Sequence, residues 1–303
     1  MKKILLFLLF LTISLFSMPV LADDMEDDYL DIASNYCIIG DYDAAIRYLD
    51  KILEMNPDNR RVSTLRAGLT HIMKNDKKTY VTNVNPYIKE AMEYKRLGDE
   101  KHELEALIAG TQSQNSYLAL YYLGNFYKEK GDNSKAIDYF NQSLSARGDF
   151  AQAYLSLAIT LFDMGKYESA LNPIDKYLTY NESDDFAYAI KSRAEFQLGM
   201  LEASKADNDI AISLNDCPEY QFDRAKILYK YGDYAQSKEL FESLLSNIQT
   251  SKIYEYLGYC YYELGDYMNA LINIDRAFIL SDDDQYLNNK YNEIRQLLEQ
   301  ENG

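Results

Sequence analysis

An all-α solenoid, a chain of stacked helix-turn-helix units, is the fold class this sequence predicts, and three observations carry the prediction. Glycines stand at 40, 98, 131, 165, 199, 232 and 265, with successive gaps of 58, 33, 34, 34, 33 and 33 residues. A fixed period near 34 marks one supersecondary unit copied along the chain. Alignment on that ladder then exposes columns of matched size. Seven residues before each glycine stand Ala33, Ala91, Gly124, Ala158, Ser192, Ala225 and Gly258, all small. Five after it come Ala45, Glu103, Ala136, Ala170, Ser204, Ser237 and Ala270; nine after it come Leu49, Leu107, Phe140, Ile174, Asn208, Phe241 and Ile274. Small residues let two antiparallel helices approach, and large ones beside them fill the contact. Finally, aspartate follows several of the glycines, as at Asp41, Asp233 and Asp266. The glycine closes one helix in the left-handed conformation, and the aspartate opens the next as an N-cap.

Taken in order, the chain begins with an address. Lys2 and Lys3 precede an apolar run from Ile4 to Phe16, then Pro19 and Val20-Leu21-Ala22. This is the layout of a secretory signal peptide over residues 1–22, with cleavage expected after Ala22. An uncleaved membrane anchor is the alternative, since Ile4 to Ala22 is just long enough to cross a bilayer. No cysteine follows Ala22, so no lipid attachment of the bacterial lipoprotein kind is expected.

Residues 23–284 form the predicted solenoid of seven full units and one shortened unit. The 58-residue gap leaves room for the shortened unit at 60–83, with Ala67 at its small position and an apolar face of Val62, Leu65, Leu69, Ile72 and Met73. An irregular segment is expected near 75–85. Pro173 falls inside a second helix and predicts a kink. Asn208, a polar residue in a core column, marks the fifth ladder unit as the least regular. Residues 285–303 supply a capping helix and tail, with Tyr286, Tyr291, Ile294, Leu297 and Leu298 as its apolar side; an open stack needs such a cap.

The clearest copy of the unit is Tyr254-Glu-Tyr-Leu-Gly258-Tyr-Cys-Tyr261-Tyr-Glu-Leu-Gly265-Asp-Tyr267, running on to Ala270 and Ala277. It resembles the tetratricopeptide repeat, with tyrosine (Tyr29, Tyr87, Tyr154, Tyr188, Tyr254) where that family usually carries tryptophan. The resemblance spans roughly residues 26–284. It implies a right-handed superhelix and a concave face, lined by first helices, that binds a protein or peptide partner.

The formal net charge is −17; without Lys2 and Lys3 the same count is 29 basic against 48 acidic, or −19. Such a chain repels phosphate backbones, so nucleic acid is not an expected partner. No catalytic constellation stands out. His71 and His102 are isolated, Ala106 stands where a His-Glu-x-x-His motif needs its second histidine, and no phosphate-binding glycine loop occurs. No enzyme activity, cofactor or metal is therefore expected. The acidic runs at 23–28, 184–185 and 282–284 lack calcium-loop spacing and read as helix starts and turns. The places of Cys37, Cys217 and Cys260 along the stack argue against pairing, and at least two of them read as small buried residues. Arg147-Gly148-Asp149 spells a receptor-binding tripeptide but sits at a joint between units, where turn and capping needs explain it. Asn141 and Asn181 head glycosylation sequons by spelling.

The resemblance directs attention to positions thirteen, ten, nine and six before each ladder glycine. These select Leu118, Tyr121, Tyr122 and Asn125; Gln152, Leu155, Ser156 and Ile159; and Lys252, Glu255, Tyr256 and Tyr259, with Arg193 at the same register in the fifth unit. Some relatives clamp a C-terminal carboxylate with Lys, Asn and Arg here. Asn125 and Arg193 do not complete that set, which argues against a receptor for chaperone tails. A tyrosine-rich groove suits peptide recognition, since tyrosine joins apolar area to a polar tip. The expected function is an exported adaptor, periplasmic or secreted, without stable membrane insertion after cleavage. The first alternative is an envelope or extracellular module for a non-protein ligand such as glycan or cell-wall material, and the last in order is an enzyme with an unrecognised site.

Overall fold

The computed structural model describes residues 24–57, 59–75, 85–246, 248–281 and 285–301. The segment read as a signal peptide, most of the 75–85 segment and Asp282–Asp284 lie outside them. Within the described residues the chain forms sixteen helices and no strand: α1 (Asp24–Ile38), α2 (Tyr42–Met55), α3 (Arg60–Asn75), α4 (Pro86–Arg96), α5 (Glu100–Gly110), α6 (Ser116–Glu129), α7 (Asn133–Ala146), α8 (Ala151–Asp163), α9 (Tyr167–Leu178), α10 (Asp185–Gln197), α11 (Leu201–Leu214), α12 (Pro218–Tyr231), α13 (Tyr234–Leu245), α14 (Ser251–Glu263), α15 (Tyr267–Ile279) and α16 (Gln285–Glu301). Packing divides the chain after Ala187 into two compact units.

The ladder explains the turns. All seven glycines adopt φ between 70° and 85°, a region that side chains with a Cβ enter only under strain. Directly after them, Asp41, Asp99, Asp132, Asp233 and Asp266 accept hydrogen bonds from the N–H three residues on, at 3.1–3.2 Å. Lys166 and Met200 occupy the same place after Gly165 and Gly199, and neither caps by its side chain.

The columns explain the pairing. Leu49, Phe140, Ile174, Asn208, Phe241 and Ile274 are fully buried, and Leu107 nearly so. Opposite them the small residues set the helix spacing. A Cβ at Gly124 would lie 2.4 Å from the Phe140 ring, and one at Gly258 would lie 2.8 Å from Ile274. Serines in these columns add a polar clasp. Ser192 Oγ donates to the Ser204 carbonyl at 2.7 Å and Ser204 Oγ donates back to the Ser192 carbonyl at 2.9 Å, tying α10 to α11. Ser237 Oγ does the same to the Ala225 carbonyl, tying α13 to α12.

Several expectations are corrected. Ala67 is exposed; α3 buries Val62, Leu65 and Leu69 against α2, and no described second helix stands behind Ala67 to claim it. Pro173 lies inside the second helix of its unit, as expected, and α9 continues past it to Leu178 with the proline ring buried. The fifth ladder unit is regular in backbone and polar inside. There Asn208 Nδ2 donates to the Tyr220 carbonyl at 3.1 Å and so joins α11 to α12. On α16 the buried residues are Leu287 and Ile294, whereas Tyr286 is 62% exposed. The predicted face holds at Ile294 and Tyr291, and Leu287 takes the place expected of Tyr286, packing in the cluster that contains Ala277 and Ile274 of α15. The cysteines are unpaired, with Cys37 and Cys260 buried and Cys217 half-buried.

Glu103 occupies a small-column position on α5 and is only 8% exposed. Burial raises its pKa to about 7 from an ordinary 4.5, with opposing influences from Lys95 and Glu129. A carboxyl whose folded pKa is raised stabilises the fold fully below its unfolded pKa, and that contribution is lost as pH climbs through the folded value. Stability attributable to this group therefore falls between pH of about 4.5 and about 7. Glu103→Ala restores the residue used by most other units. It is expected to stabilise the protein at neutral pH by about 1–2 kcal/mol and to have no such effect at pH 4. Urea midpoints of both proteins at the two pH values check this; equal gains at both would refute the titration.

Candidate functional site

In the second compact unit, three first helices lie side by side and carry the best-formed polar and aromatic face. From α10 come Arg193 and Phe196, from α12 Phe222, Asp223, Lys226 and Tyr229, and from α14 Lys252, Glu255, Tyr256 and Tyr259. Arg193 Nε donates to Asp223 Oδ2 at 2.5 Å, joining α10 to α12, and both side chains are largely buried. Lys226 Nζ lies 3.5 Å from Asp223 Oδ1 and also sits over the rings of Phe196 (5.1 Å) and Phe222 (5.6 Å). Asp223 is thus a buried carboxylate held by two cations, and a cation over an aromatic face adds its own attraction.

The rings continue the face toward α14. Tyr256 meets Phe222 edge-on at 6.0 Å, Tyr229 at 5.9 Å and Tyr259 at 6.0 Å, and stacks on the core ring of Phe241 at 5.5 Å. Tyr259 donates to Glu255 Oε1 at 2.9 Å, and Lys252 Nζ holds the other carboxylate oxygen at 2.7 Å. Burial pushes the Tyr259 hydroxyl far above its ordinary pKa, with Glu255 adding to it, and burial likewise raises Tyr256 and Tyr229. These hydroxyls remain protonated donors across the physiological range. Phe222, Tyr229, Tyr256 and Tyr259 are all half-buried. Each ring is anchored by its neighbours and is partly exposed.

The residues selected in the first compact unit are placed differently. Leu118, Tyr121, Tyr122, Gln152, Leu155 and Ile159 are buried, at 9% exposure or less, and only Asn125 and Ser156 are half-buried. Tyr121 packs edge-on against Phe150 (5.1 Å) and Tyr122 (5.3 Å), with Ser156 Oγ 3.4 Å from its hydroxyl. Tyr122 reaches α1, where its hydroxyl donates to the Asn35 carbonyl at 3.3 Å. Of the predicted residues, Arg193, Tyr256 and Tyr259 share the face on α10, α12 and α14. Phe222, Asp223 and Lys226 were not singled out, although they stand ten, nine and six before Gly232, at the same offsets that select the others.

The receptor-like tripeptide is engaged within the chain. Arg147 holds Asp149 at 2.8 Å and stacks 4.7 Å over the Tyr117 ring, while Tyr154 donates to the Gly148 carbonyl. Of the two sequon asparagines, Asn141 is exposed and Asn181 is buried. Among the described residues, no helix is long and apolar enough to cross a membrane.

Comparison with known proteins accords with this architecture. The family model described as tetratricopeptide repeat matches residues 29–59 and 117–150. The TPR repeat-containing protein MJ1428 of Methanocaldococcus jannaschii is 24% identical over 269 residues, covering 79% of this chain. This chain spans 47% of that relative's length. Among solved structures, the Cut9–Hcn1 hetero-tetramer of the APC/C aligns over 88% of this chain and 49% of its own, with TM-score 0.53 and 17% identity. YrrB, titled a TPR protein with an unusual peptide-binding site, aligns over 61% of this chain and 96% of its own, with TM-score 0.52 and 16% identity. MamA from Desulfovibrio magneticus RS-1 aligns over 53% and 92%, with TM-score 0.50 and 20% identity. At these identities the structures speak for the fold alone. With its matched units, seven positive-φ glycines and paired helices, the chain carries units similar to the tetratricopeptide repeat and has the fold of a tetratricopeptide-repeat solenoid.

Proposed function

We propose that this protein is an exported scaffold that holds an extended peptide segment of a partner protein on the tyrosine-rich face of α10, α12 and α14. The observation carrying the proposal is the placement of half-buried rings beside a cation pair at one register of three successive first helices. Rings fixed by their neighbours lose little entropy on binding, which suits them as anchors for an apolar side chain. Lys226, held over Phe196 and Phe222, supplies a cation for a carboxylate or carbonyl of the peptide. The peptide-binding site named for YrrB supports this use of a fold of the same kind. Export rests on the residue 1–22 pattern, and the acidic charge suits a soluble exported chain.

The test uses protein recovered from the cell envelope or medium, whose first residue on this reading is Asp23. Immobilised, it should enrich peptides from a displayed random library. Tyr256→Ala plus Tyr259→Ala, still helical by circular dichroism, should weaken the enriched peptide at least tenfold, as for ring anchors worth 1–2 kcal/mol each. Unchanged affinity in the folded double variant would move the binding site elsewhere. Retention only on glycan resin would favour the non-protein ligand.

A further inference from the structure

The outward column of the second helices holds a departure from the repeat. Positions three, seven and fourteen after each ladder glycine are exposed in every unit. In six units they are Asp43, Arg47 and Glu54; Lys101, Glu105 and Gln112; Ser134, Asp138 and Ser145; Glu168, Asn172 and Thr179; Glu202, Ala206 and Ser213; and Ala235, Glu239 and Ser246. In the last unit they are Met268, Ile272 and Ile279, exposed by 53%, 42% and 71%. Leu264 (46%) and Leu280 (51%), beside the two ends of α15, are exposed as well, in columns where other units also expose large apolar residues such as Leu97 and Leu214. In the three outward columns of the other six units the only apolar residues are Ala206 and Ala235, which is ordinary for a surface. A stripe of three large apolar residues on one helix, at positions where the six sister helices carry only polar residues or alanine, marks an interaction surface.

We infer that the outward stripe of α15 is a two-fold contact with a second copy of this chain. The argument for that occupant is charge. A chain of net −17 repels its copies over most of its surface. Helix α15 carries one acidic and one basic residue, the adjacent and exposed Asp275 and Arg276, and so has no net charge. In an antiparallel pairing about an axis between those two residues, Asp275 faces Arg276 of the second copy and Ile272 faces its Ile279. Each relation then holds in both directions, as an isologous interface requires. A membrane fits less well, because α15 lacks the cationic fringe that draws a helix to anionic lipid. A contact built on one helix pair falls at the small end of interface sizes, below about 1,200 Å², so the dimer belongs to the micromolar range.

Sedimentation velocity on the protein as it accumulates in cells, over a micromolar concentration series, tests the inference. A monomer–dimer equilibrium is expected. Ile272→Glu plus Ile279→Glu should weaken it at least a hundredfold while leaving the helical signal intact. Arg276→Asp should weaken it roughly tenfold by setting like charges together across the axis. The exchange Asp275→Arg plus Arg276→Asp should restore it, since the swapped pair is again complementary. A monomer at every concentration would overturn the inference, even if vesicles or a foreign protein bound the stripe. So would a dimer indifferent to the isoleucine changes, or an exchange that fails to rescue Arg276→Asp. Peptide binding on α12 and α14 is a separate readout and should survive all three variants.

Discussion

Asp184→Ala is expected to destabilise the first compact unit by about 3 kcal/mol. Asp184 is fully buried and has two tasks. Its Oδ2 accepts the hydroxyl of Tyr177, a fully buried tyrosine on α9, at 2.5 Å; its Oδ1 accepts the Ala187 N–H at 2.9 Å as α10 begins. Alanine removes a helix cap and strands a phenol without water. Burial raises the pKa of Asp184 itself and, with the neighbouring carboxylate, that of Tyr177 well above its usual value. Their pairing offsets part of the cost of enclosing both. The change therefore hurts most when Tyr177 keeps its hydroxyl. In a double-mutant cycle by urea unfolding, Asp184→Ala plus Tyr177→Phe should be less damaging than the sum of the single changes. Strict additivity would mean that the bond carries no coupling.

The second large effect concerns helix spacing. Gly124→Ala should cost about 2 kcal/mol, although alanine is intrinsically the better helix former by about 1 kcal/mol. The added methyl would overlap the edge of Phe140, a ring enclosed on all sides. Phe140→Leu on the same background should recover much of the loss. Gly258→Ala should cost less, because the nearest atoms there include the Cδ1 end of Ile274, which can rotate aside. The sister pair Ala225 and Phe241 occupies the same columns, which shows that alanine and phenylalanine can face each other in this repeat. What Gly124 adds is a closer approach of α6 to α7. A loss at Gly258 equal to that at Gly124 would contradict this reading of the ring as the rigid element.

The helix pairs were legible because their determinants are local. A glycine at positive φ, an aspartate one residue on and matched columns of size all lie within one unit. On α16 one position was misjudged, because both Tyr286 and Leu287 fit a helical apolar pattern, and only the shape of α15 decides between them. The site was half legible. The offset rule states which way a side chain points from its own helix pair, and Arg193, Tyr256 and Tyr259, which it selects, share a face with Phe222, Asp223 and Lys226. It does not state what lies above that side chain. Tyr122 obeys the rule and is nevertheless covered by α1, whose Asn35 is 87 residues away in sequence.

Photo-crosslinking tests the central claim, that partners dock on α10, α12 and α14, most directly. A photoreactive residue placed at Tyr259 or Phe222, both on this face, should capture the displayed peptide that the folded protein enriches. The same residue at Glu239, exposed on the outer side of α13, should not. Capture from Glu239 and from neither ring position would contradict the account.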